Sequence, residues 1–179
     1  MLSSAGDGLS VGLIGHGTLM LKYGGKVIHI DPWSKLTDYS ALPKADVILV
    51  THEHRDHLDT EAIRALRKST TEVLVNQAAA ARVPDSLTRR NGDSRMVQGI
   101  KVEAVPAYNL VHMRSEGEPY HPKGRGNGYI LTFGGTRVYV AGDTENTPEL
   151  KALENITCAF LPMNLPYTMT PEMVADAAR

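Results

Sequence analysis

The chain concentrates metal-binding side chains in one stretch, Thr51-His52-Glu53-His54-Arg55-Asp56-His57-Leu58-Asp59. Three of its seven histidines and two aspartates fall within it. An apolar run, residues 47–50, comes directly before this stretch, and residues 60–67 after it have the apolar spacing of an amphipathic helix. The stretch is therefore predicted to lie at the C-terminal end of a buried strand.

The residue types indicate a metal site. Imidazole nitrogens are good ligands for zinc, and carboxylate oxygens complete such ligand sets. His52 and His54 are two residues apart and can face one ion, whereas Asp56 and His57 are better placed to reach a second ion. The alternative is a polar loop in which Asp56 or Asp59 is the helix N-cap. We expect Asp59 to be the cap, but histidine usually occurs singly, so the clustering favours a metal site.

Length and composition indicate an ordinary globular protein. With 179 residues the chain is expected to form a single domain, residues 1–179. Its formal net charge of -1 gives no reason to expect a nucleic acid or an anionic membrane as partner. The single cysteine, Cys158, excludes an internal disulfide and a multi-cysteine zinc site. Residues 1–10 lack the apolar core of a signal peptide, so we expect a cytoplasmic protein with no membrane span.

The remaining pattern is mostly strands joined by hairpins, with helices between some of them. Strands are predicted at residues 9–15, 19–23, 26–30, 46–51, 73–75, 95–98, 101–105, 128–133, 137–141 and 158–161. Helices are predicted at residues 60–68, 77–82 and 148–153 and from Pro171, with Thr170 as N-cap. Pro106 is expected to end the strand before it, and residues 107–127 to form a long polar loop. This order favours an α+β fold in which two sheets pack face to face with helices outside.

Two later regions offer further ligands. Asp143 follows the predicted strand at residues 137–141; by itself it would suit a polar turn, but beside a His/Asp cluster it suits a carboxylate that bridges two ions. The long loop carries His112 and His121. We prefer His121 as the third ligand because it can return to the strand ends, and His112 stays open.

Other polar residues can serve the site or be ordinary structural or surface residues. Arg114, Lys123 and Arg125 in the long loop can meet an anionic substrate group or can be ordinary surface charges. His16 is expected near the site as an outer group or as a structural histidine, and His29 as structural.

These motifs resemble the metallo-β-lactamase-fold hydrolases. The resemblance rests on His52-x-His54-x-Asp56-His57, a later histidine, and Gly142-Asp143-Thr144. Gly15-His16-Gly17-Thr18 and Asp31-Pro32 are similar to the branch that includes ascorbate-phosphate lactonase. The resemblance implies a four-layer αββα sandwich with the site at one edge between the sheets.

The resemblance also implies the roles of individual residues. His52, His54 and His121 would hold the first ion, Asp56 and His57 the second, and Asp143 would bridge them. Asp56 would also orient the nucleophile, which makes it the implied catalytic residue. The ions are expected to be zinc, one or two per chain, with manganese or iron as alternatives.

One departure from the family pattern concerns the C-terminal part. Family members continue past the final helix into a strand that ends in a further histidine ligand, whereas no histidine follows His121 here. We therefore expect the C-terminal part of the sandwich to be incomplete. Water, another group or a completing partner, including an oligomer, would supply the remaining ligand of the second ion.

The expected activity is hydrolysis by a metal-bound hydroxide of an ester, lactone or phosphoester bond in a small, anionic substrate. A nuclease or phosphodiesterase of the same fold is one alternative, but it needs a basic track that the sequence shows only within residues 114–125. A non-catalytic metal-binding protein is the other alternative.

Overall fold

The first sheet of the computed structural model, which describes residues 8–179, has six strands. Residues 1–7, most of the segment tested above for a signal peptide, lie outside the described part. In spatial order the strands are β1 (Ser10–Gly15), β2 (Thr18–Tyr23), β3 (Lys26–Ile30), β4 (Val47–Leu49), β5 (Glu72–Val75) and β6 (Leu87–Thr88). β1 to β3 pair antiparallel, and β3 to β6 pair parallel. The parallel half therefore places the ends of β3 and β4 side by side, where Asp31 and Thr51 follow.

The second sheet is built from the C-terminal half of the chain. Its strands are β7 (Ser94–Val97), β8 (Ile100–Ala107), β11 (Gly126–Phe133), β12 (Thr136–Val140) and β13 (Cys158–Phe160), in the order β13-β12-β11-β8-β7. A separate hairpin, β9 (Met113–Ser115) with β10 (Glu118–Pro119), lies within the long loop. The start of β11 meets the chain just after β4, because the backbone N–H of Asn127 donates to the carbonyl of Thr51 at 2.9 Å. The end of β12 pairs with the start of β11 and therefore also lies near the end of β4.

Three short helices and two 3-10 turns complete the described part. They are α1 (Thr60–Leu66), α2 (Pro148–Lys151), α3 (Pro171–Ala177) and the turns Tyr39–Ala41 and Ala80–Arg82. Asp59 caps α1, since its Oδ1 accepts from the backbone N–H of Glu61 and Ala62 at 2.9 and 3.2 Å. Thr170 caps α3 with Pro171 in the first turn. No helix among residues 8–179 has the length and apolar character to cross a membrane.

Apolar packing arranges these elements in four layers. The main core lies between the sheets and includes Leu21, Ile28, Leu49, Tyr129 and Phe133, each fully buried. On the outer face of the first sheet, α1 packs Ile63 and Leu66 against Ile48, Val50, Val73 and Val75. On the outer face of the second sheet, Leu150 of α2 packs against Val105, Ile130 and Tyr139. Each such burial stabilises by roughly 1.5–3 kcal/mol per large side chain. The predicted αββα architecture is confirmed.

Three details of the predicted secondary structure were wrong. β8 continues through Pro106, which is tolerated because β7 pairs with β8 only as far as Glu103 and leaves the other side of Pro106 without a strand. The helix predicted over residues 77–82 is only the turn Ala80–Arg82, because Pro84 disfavours helical backbone at Val83. The long loop is not irregular throughout, since it folds back on itself as β9 and β10.

Candidate metal centre

A cluster of four possible ligands lies at one edge of the sandwich. His52 and His54 follow β4, His121 precedes β11, and Asp143 follows β12. One nitrogen or oxygen atom from each of the four lies within 4.8 Å of the others. Both sheets therefore contribute donors to one place, because the ends of β4 and β12 meet there.

The donor atoms of this first cluster are spaced as ligands of one ion. His52 Nε2 lies 3.1 Å from His54 Nδ1 and 3.8 Å from Asp143 Oδ2, and His121 Nε2 lies 3.2 Å from the same oxygen. Tetrahedral zinc with bonds of about 2.0–2.1 Å places its ligand atoms about 3.3 Å apart. The three separations given above lie within about 0.5 Å of this value.

A second group lies beside the first. One donor atom each from His16, Asp56 and His57 fall within 4.8 Å of one another. His57 Nε2 is 3.7 Å from Asp56 Oδ2 and 3.5 Å from Asp143 Oδ1. Asp143 thus directs one carboxylate oxygen toward each group, which is the arrangement a bridging carboxylate requires.

His57 supplies the test of whether the second group suits a metal. The side chain is only 2% exposed, and its Nε2 has no hydrogen-bond partner among the described residues. A buried polar atom without a partner is costly and rare. Because Nε2 faces two carboxylates at non-bonding distance, a cation between them would satisfy it. Both groups therefore fit a divalent ion.

Asp31 orients His57 in the second group, and Thr51 orients His52 in the first. His57 Nδ1 donates to Asp31 Oδ2 at 2.7 Å. Thr51 Oγ1 donates to the same oxygen at 2.6 Å and accepts from His52 Nδ1 at 3.0 Å. Outer hydrogen bonds of this kind fix the tautomer of a ligand histidine and raise its basicity. The Nε2 atoms of His52 and His57 are therefore the nitrogens left available to bind a metal.

Asn109 performs the same task for His121. Its Oδ1 accepts from the backbone N–H and from Nδ1 of His121, at 2.9 and 2.7 Å. Asn109 is itself held by Glu145, whose Oε1 accepts from its Nδ2 at 3.0 Å. Glu145 is fully buried and also accepts from three backbone N–H groups, those of Leu110, Val111 and His112. The buried carboxylate thus shapes the loop that presents the ligand.

The pKa values differ between the two groups. Burial, reinforced by neighbouring imidazoles, lowers the pKa of His52 and His54, so both are neutral and ready to ligate at neutral pH. Burial alone would raise the pKa of Asp143, but its hydrogen bond with His121 and the imidazoles around it hold that pKa well below the usual range. Burial also disfavours a charged His57, yet Asp31 and the other carboxylates outweigh it and raise the pKa of His57 to about 9.

Gly142 allows Asp143 to approach the strand ends. It has φ +63°, and a Cβ there would lie 2.9 Å from Thr51 Cβ and 3.1 Å from the carbonyl oxygen of Asn127. Any other residue would therefore meet both steric crowding and left-handed backbone strain. The backbone at Gly142 therefore passes close to Thr51 and Asn127.

The remaining histidines lie away from the first cluster. His112 Nδ1 is 2.6 Å from Glu145 Oε1, and its backbone donates to the same oxygen, so it helps to shape the loop. His29 is buried and donates to the carbonyl of Pro43 at 3.1 Å. His16, by contrast, places Nε2 2.9 Å from Asp56 Oδ2. The structure therefore places His121, not His112, in the first cluster.

An open cleft of about 460 Å³ leads to the first cluster, a size that suits a small molecule. Arg114 lies on its wall with its guanidinium 5.8 Å from the centre of the Tyr120 ring. Lys123 forms a salt bridge with Glu149 at 2.8 Å, and Arg125, which also lines the cleft, forms one with Glu53 at 2.6 Å. Of the three loop cations, Arg114 has no carboxylate within salt-bridge distance among residues 8–179.

Sequence reasoning missed the supporting residues. From the sequence, Asp31 supports only the family resemblance, and Asn109 and Glu145 have no predicted role. The one signal for Asp31 was its position at the end of the strand next to β4. Asn109 and Glu145 are 36 residues apart and gave no local pattern.

Comparison with known proteins agrees with this geometry. Residues 10–179 match the family model described as a beta-lactamase superfamily domain. A metal-dependent hydrolase from Methanoculleus marisnigri is 30% identical over 173 residues, which cover 93% of this chain and 73% of that protein.

Solved structures extend the match. A metal-dependent hydrolase from Parabacteroides distasonis superposes with a TM-score of 0.93 at 49% identity, over 99% of this chain and 80% of that chain. A metallo hydrolase from Ignicoccus hospitalis shares the fold, with a TM-score of 0.75 at 24% identity over 94% of this chain and 76% of that chain. The chain therefore belongs to the metallo-β-lactamase superfamily of metal-dependent hydrolases.

Proposed function

We propose that this chain is a zinc-dependent hydrolase that cleaves an ester, lactone or phosphoester bond in a small anionic substrate. The observation that carries the proposal is the shared carboxylate: Asp143 directs one oxygen to each of two donor groups, and the first of these groups lies on an open cleft. Imidazole-rich donors favour zinc, and manganese or iron are the alternatives.

The ligand roles follow from the donor distances. His52, His54 and His121 would hold the first ion, Asp56 and His57 the second, and Asp143 would contact both. A divalent ion held there supplies Lewis-acid polarisation of a carbonyl or phosphoryl oxygen and makes hydroxide available near neutral pH. Asp56 is 39% exposed and lines an open cavity together with Arg114 and Asp143, so its carboxylate can orient an attacking water and accept its proton.

Arg114 supports an anionic substrate. It lies on the cleft wall without a carboxylate partner in the described part, and its planar guanidinium can bind a carboxylate or phosphate through two N–H groups. Tyr120 beneath it limits the positions that the guanidinium can take. The nuclease alternative is less well supported, because Lys123 and Arg125, which would extend a basic track, are neutralised by ion pairs.

The test combines metal analysis with a substrate panel. The chain would be freed of metal, reloaded with zinc, and assayed on 4-nitrophenyl acetate, a carboxylated lactone, bis(4-nitrophenyl) phosphate and RNA. We expect zinc-dependent turnover of the small substrates and a loss of at least about 100-fold for Asp143→Asn. Asp176→Asn is the control, since that aspartate pairs with Lys151 on the surface.

Each other outcome would identify an alternative. Full zinc loading without turnover on the panel would make the chain a metal-binding protein, and salt-sensitive cleavage of RNA alone would make it a nuclease.

We also propose a cytoplasmic location, which the lone free Cys158 supports, and cell fractionation tests it.

A further inference from the structure

His16 occupies an unusual place for a histidine. It lies in the tight turn between β1 and β2 and has φ +49°, a left-handed conformation that Gly or Asn usually takes in such turns. Gly15 and Gly17 flank it. A non-glycine residue held in this region costs of order 1–3 kcal/mol, and such strain clusters at functional sites. The strain gives a reason to ask what the side chain does.

The turn brings the His16 ring into the second donor group. Its Nε2 lies 2.9 Å from Asp56 Oδ2, and its ring centre lies 5.2 Å from that of His57. The other side of the ring is covered by Trp33, whose centre is 5.6 Å away. His16 is therefore placed between an aromatic wall and the two residues expected to hold the second ion.

Gly17 shows that this approach is close. A Cβ at position 17 would lie 3.0 Å from Cε1 of His57, nearer than nearly all real Cβ contacts. A larger residue there would have to push the His57 ring aside by a few tenths of an ångström. The turn is consequently fitted against His57, and the position of His16 is set by more than its own hydrogen bond.

An independent observation comes from His57. Its Nδ1 is taken by Asp31, and its buried Nε2, without a hydrogen-bond partner within residues 8–179, is aimed at the space beside Asp56 and Asp143. Around this space, His16 Nε2 lies 2.9 Å from Asp56 Oδ2. His57 Nε2 lies 3.7 Å from Asp56 Oδ2 and 3.5 Å from Asp143 Oδ1. These values bracket the spacing of about 3.3 Å between ligands of tetrahedral zinc.

We propose that His16 Nε2 is a direct ligand of the second ion, together with Asp56, His57 and Asp143. Two carboxylates would balance the charge of a divalent cation, and two imidazoles would complete a set of four donors. The proposal rests on the proposed function only in requiring that a second ion binds. The rival explanation is that His16 merely donates a hydrogen bond to Asp56 and holds that carboxylate in place.

Two substitutions separate these explanations. His16→Ala removes both a ligand and a hydrogen bond, whereas His16→Gln keeps an N–H that can donate to Asp56 but is a poor zinc ligand. Asp176→Asn is again the control, because that aspartate pairs with Lys151 on the surface and lies outside both donor groups. The metal-free full-length proteins would be titrated with Co²⁺ and Zn²⁺, and the affinity of each ion measured separately.

If His16 is a ligand, both His16 variants lose second-ion affinity by more than about 100-fold, the upper end for removing an outer partner, while the first ion binds as in the wild type. The Co²⁺-loaded variants also lose one shifted imidazole N–H resonance in the proton spectrum. Asp176→Asn keeps both ions and all resonances.

Three results would overturn the proposal. Wild-type second-ion affinity in His16→Gln with a loss in His16→Ala would reduce His16 to a hydrogen-bond partner of Asp56. Wild-type affinity in both variants would remove any role in binding. A wild-type chain that binds only one ion and still hydrolyses substrate would refute the second site but leave the proposed function intact. Failure of the proposed function would instead appear as no turnover with both ions bound.

Discussion

Asn109→Ala should weaken the first metal site without touching a ligand. The amide makes four hydrogen bonds: its Oδ1 accepts from the backbone N–H and Nδ1 of His121, and its Nδ2 donates to Glu145 Oε1 and to the carbonyl of Tyr167. Their lengths run from 2.7 to 3.0 Å, and the residue is 5% exposed. Alanine leaves the His121 ring free to rotate and to place its proton on the ligating nitrogen.

The expected magnitudes follow from these contacts. Loss of an outer hydrogen-bond partner lowers metal affinity by about 10–100-fold, which corresponds to about 1.4–2.7 kcal/mol. Four buried hydrogen bonds at about 0.5–1 kcal/mol each stabilise the fold by about 2–4 kcal/mol. The variant should therefore lose both first-ion affinity and unfolding free energy.

The assay is competition between the metal-free protein and a chromophoric chelator, with urea unfolding of the same samples. Asn127→Ala is the matched control, because Asn127 is equally buried and hydrogen-bonded, to Arg89 and Asn91, but does not contact a ligand side chain. It should lose comparable stability and keep wild-type affinity. Equal affinities for wild type and Asn109→Ala would refute the assignment of Asn109 as the residue that orients His121.

Three further predictions concern other parts of the site. The pKa of His57 in the metal-free protein is about 9, and only the neutral ring can bind a metal, so protons compete with the second ion below pH 9. The affinity for the second ion should therefore rise about tenfold per pH unit from pH 7 to 8, as measured by calorimetric titration. In Asp31→Asn this dependence should largely disappear. Gly142→Ala should lower the unfolding free energy by about 2–4 kcal/mol in urea, because its new Cβ would lie 2.9 Å from that of Thr51 and the left-handed backbone adds strain. Arg114→Ala should raise the KM of an anionic ester by about 10–100-fold, with the KM of its neutral analogue unchanged in the same assay.

The layers of the sandwich could be predicted because they depend on local patterns. Alternating or continuous apolar runs marked most strands, and Asp59 and Thr170 marked the starts of two helices. Pro106 was misread because its tolerance depends on where a neighbouring strand, β7, stops pairing. That is a property of the sheet and not of the residues beside the proline.

The site divides in the same way. Ligand candidates stand in a dense local motif, so His52, His54, Asp56 and His57 could be named from residue type and spacing. Choosing His121 over His112 required an argument from loop reach, and the structure gives the physical reason, since Glu145 holds His112 away. Buried polar supports such as Glu145 look like surface residues in a sequence, because the groups that satisfy them come from elsewhere in the chain.

The division of donors between the two sheets has a mechanical consequence. His52 and His54 extend from the first sheet, and His121 and Asp143 from the second. An ion bound by all four would therefore cross-link the two sheets at the open edge of the sandwich. Metal binding then adds to the unfolding free energy, by about 2.7 kcal/mol at a free-ion concentration one hundred times the dissociation constant. Chelation should release this edge first, and amide exchange should quicken at the ends of β4 and β12 before it does in the core. Metal supply would thus govern how long the chain stays folded as well as whether it works.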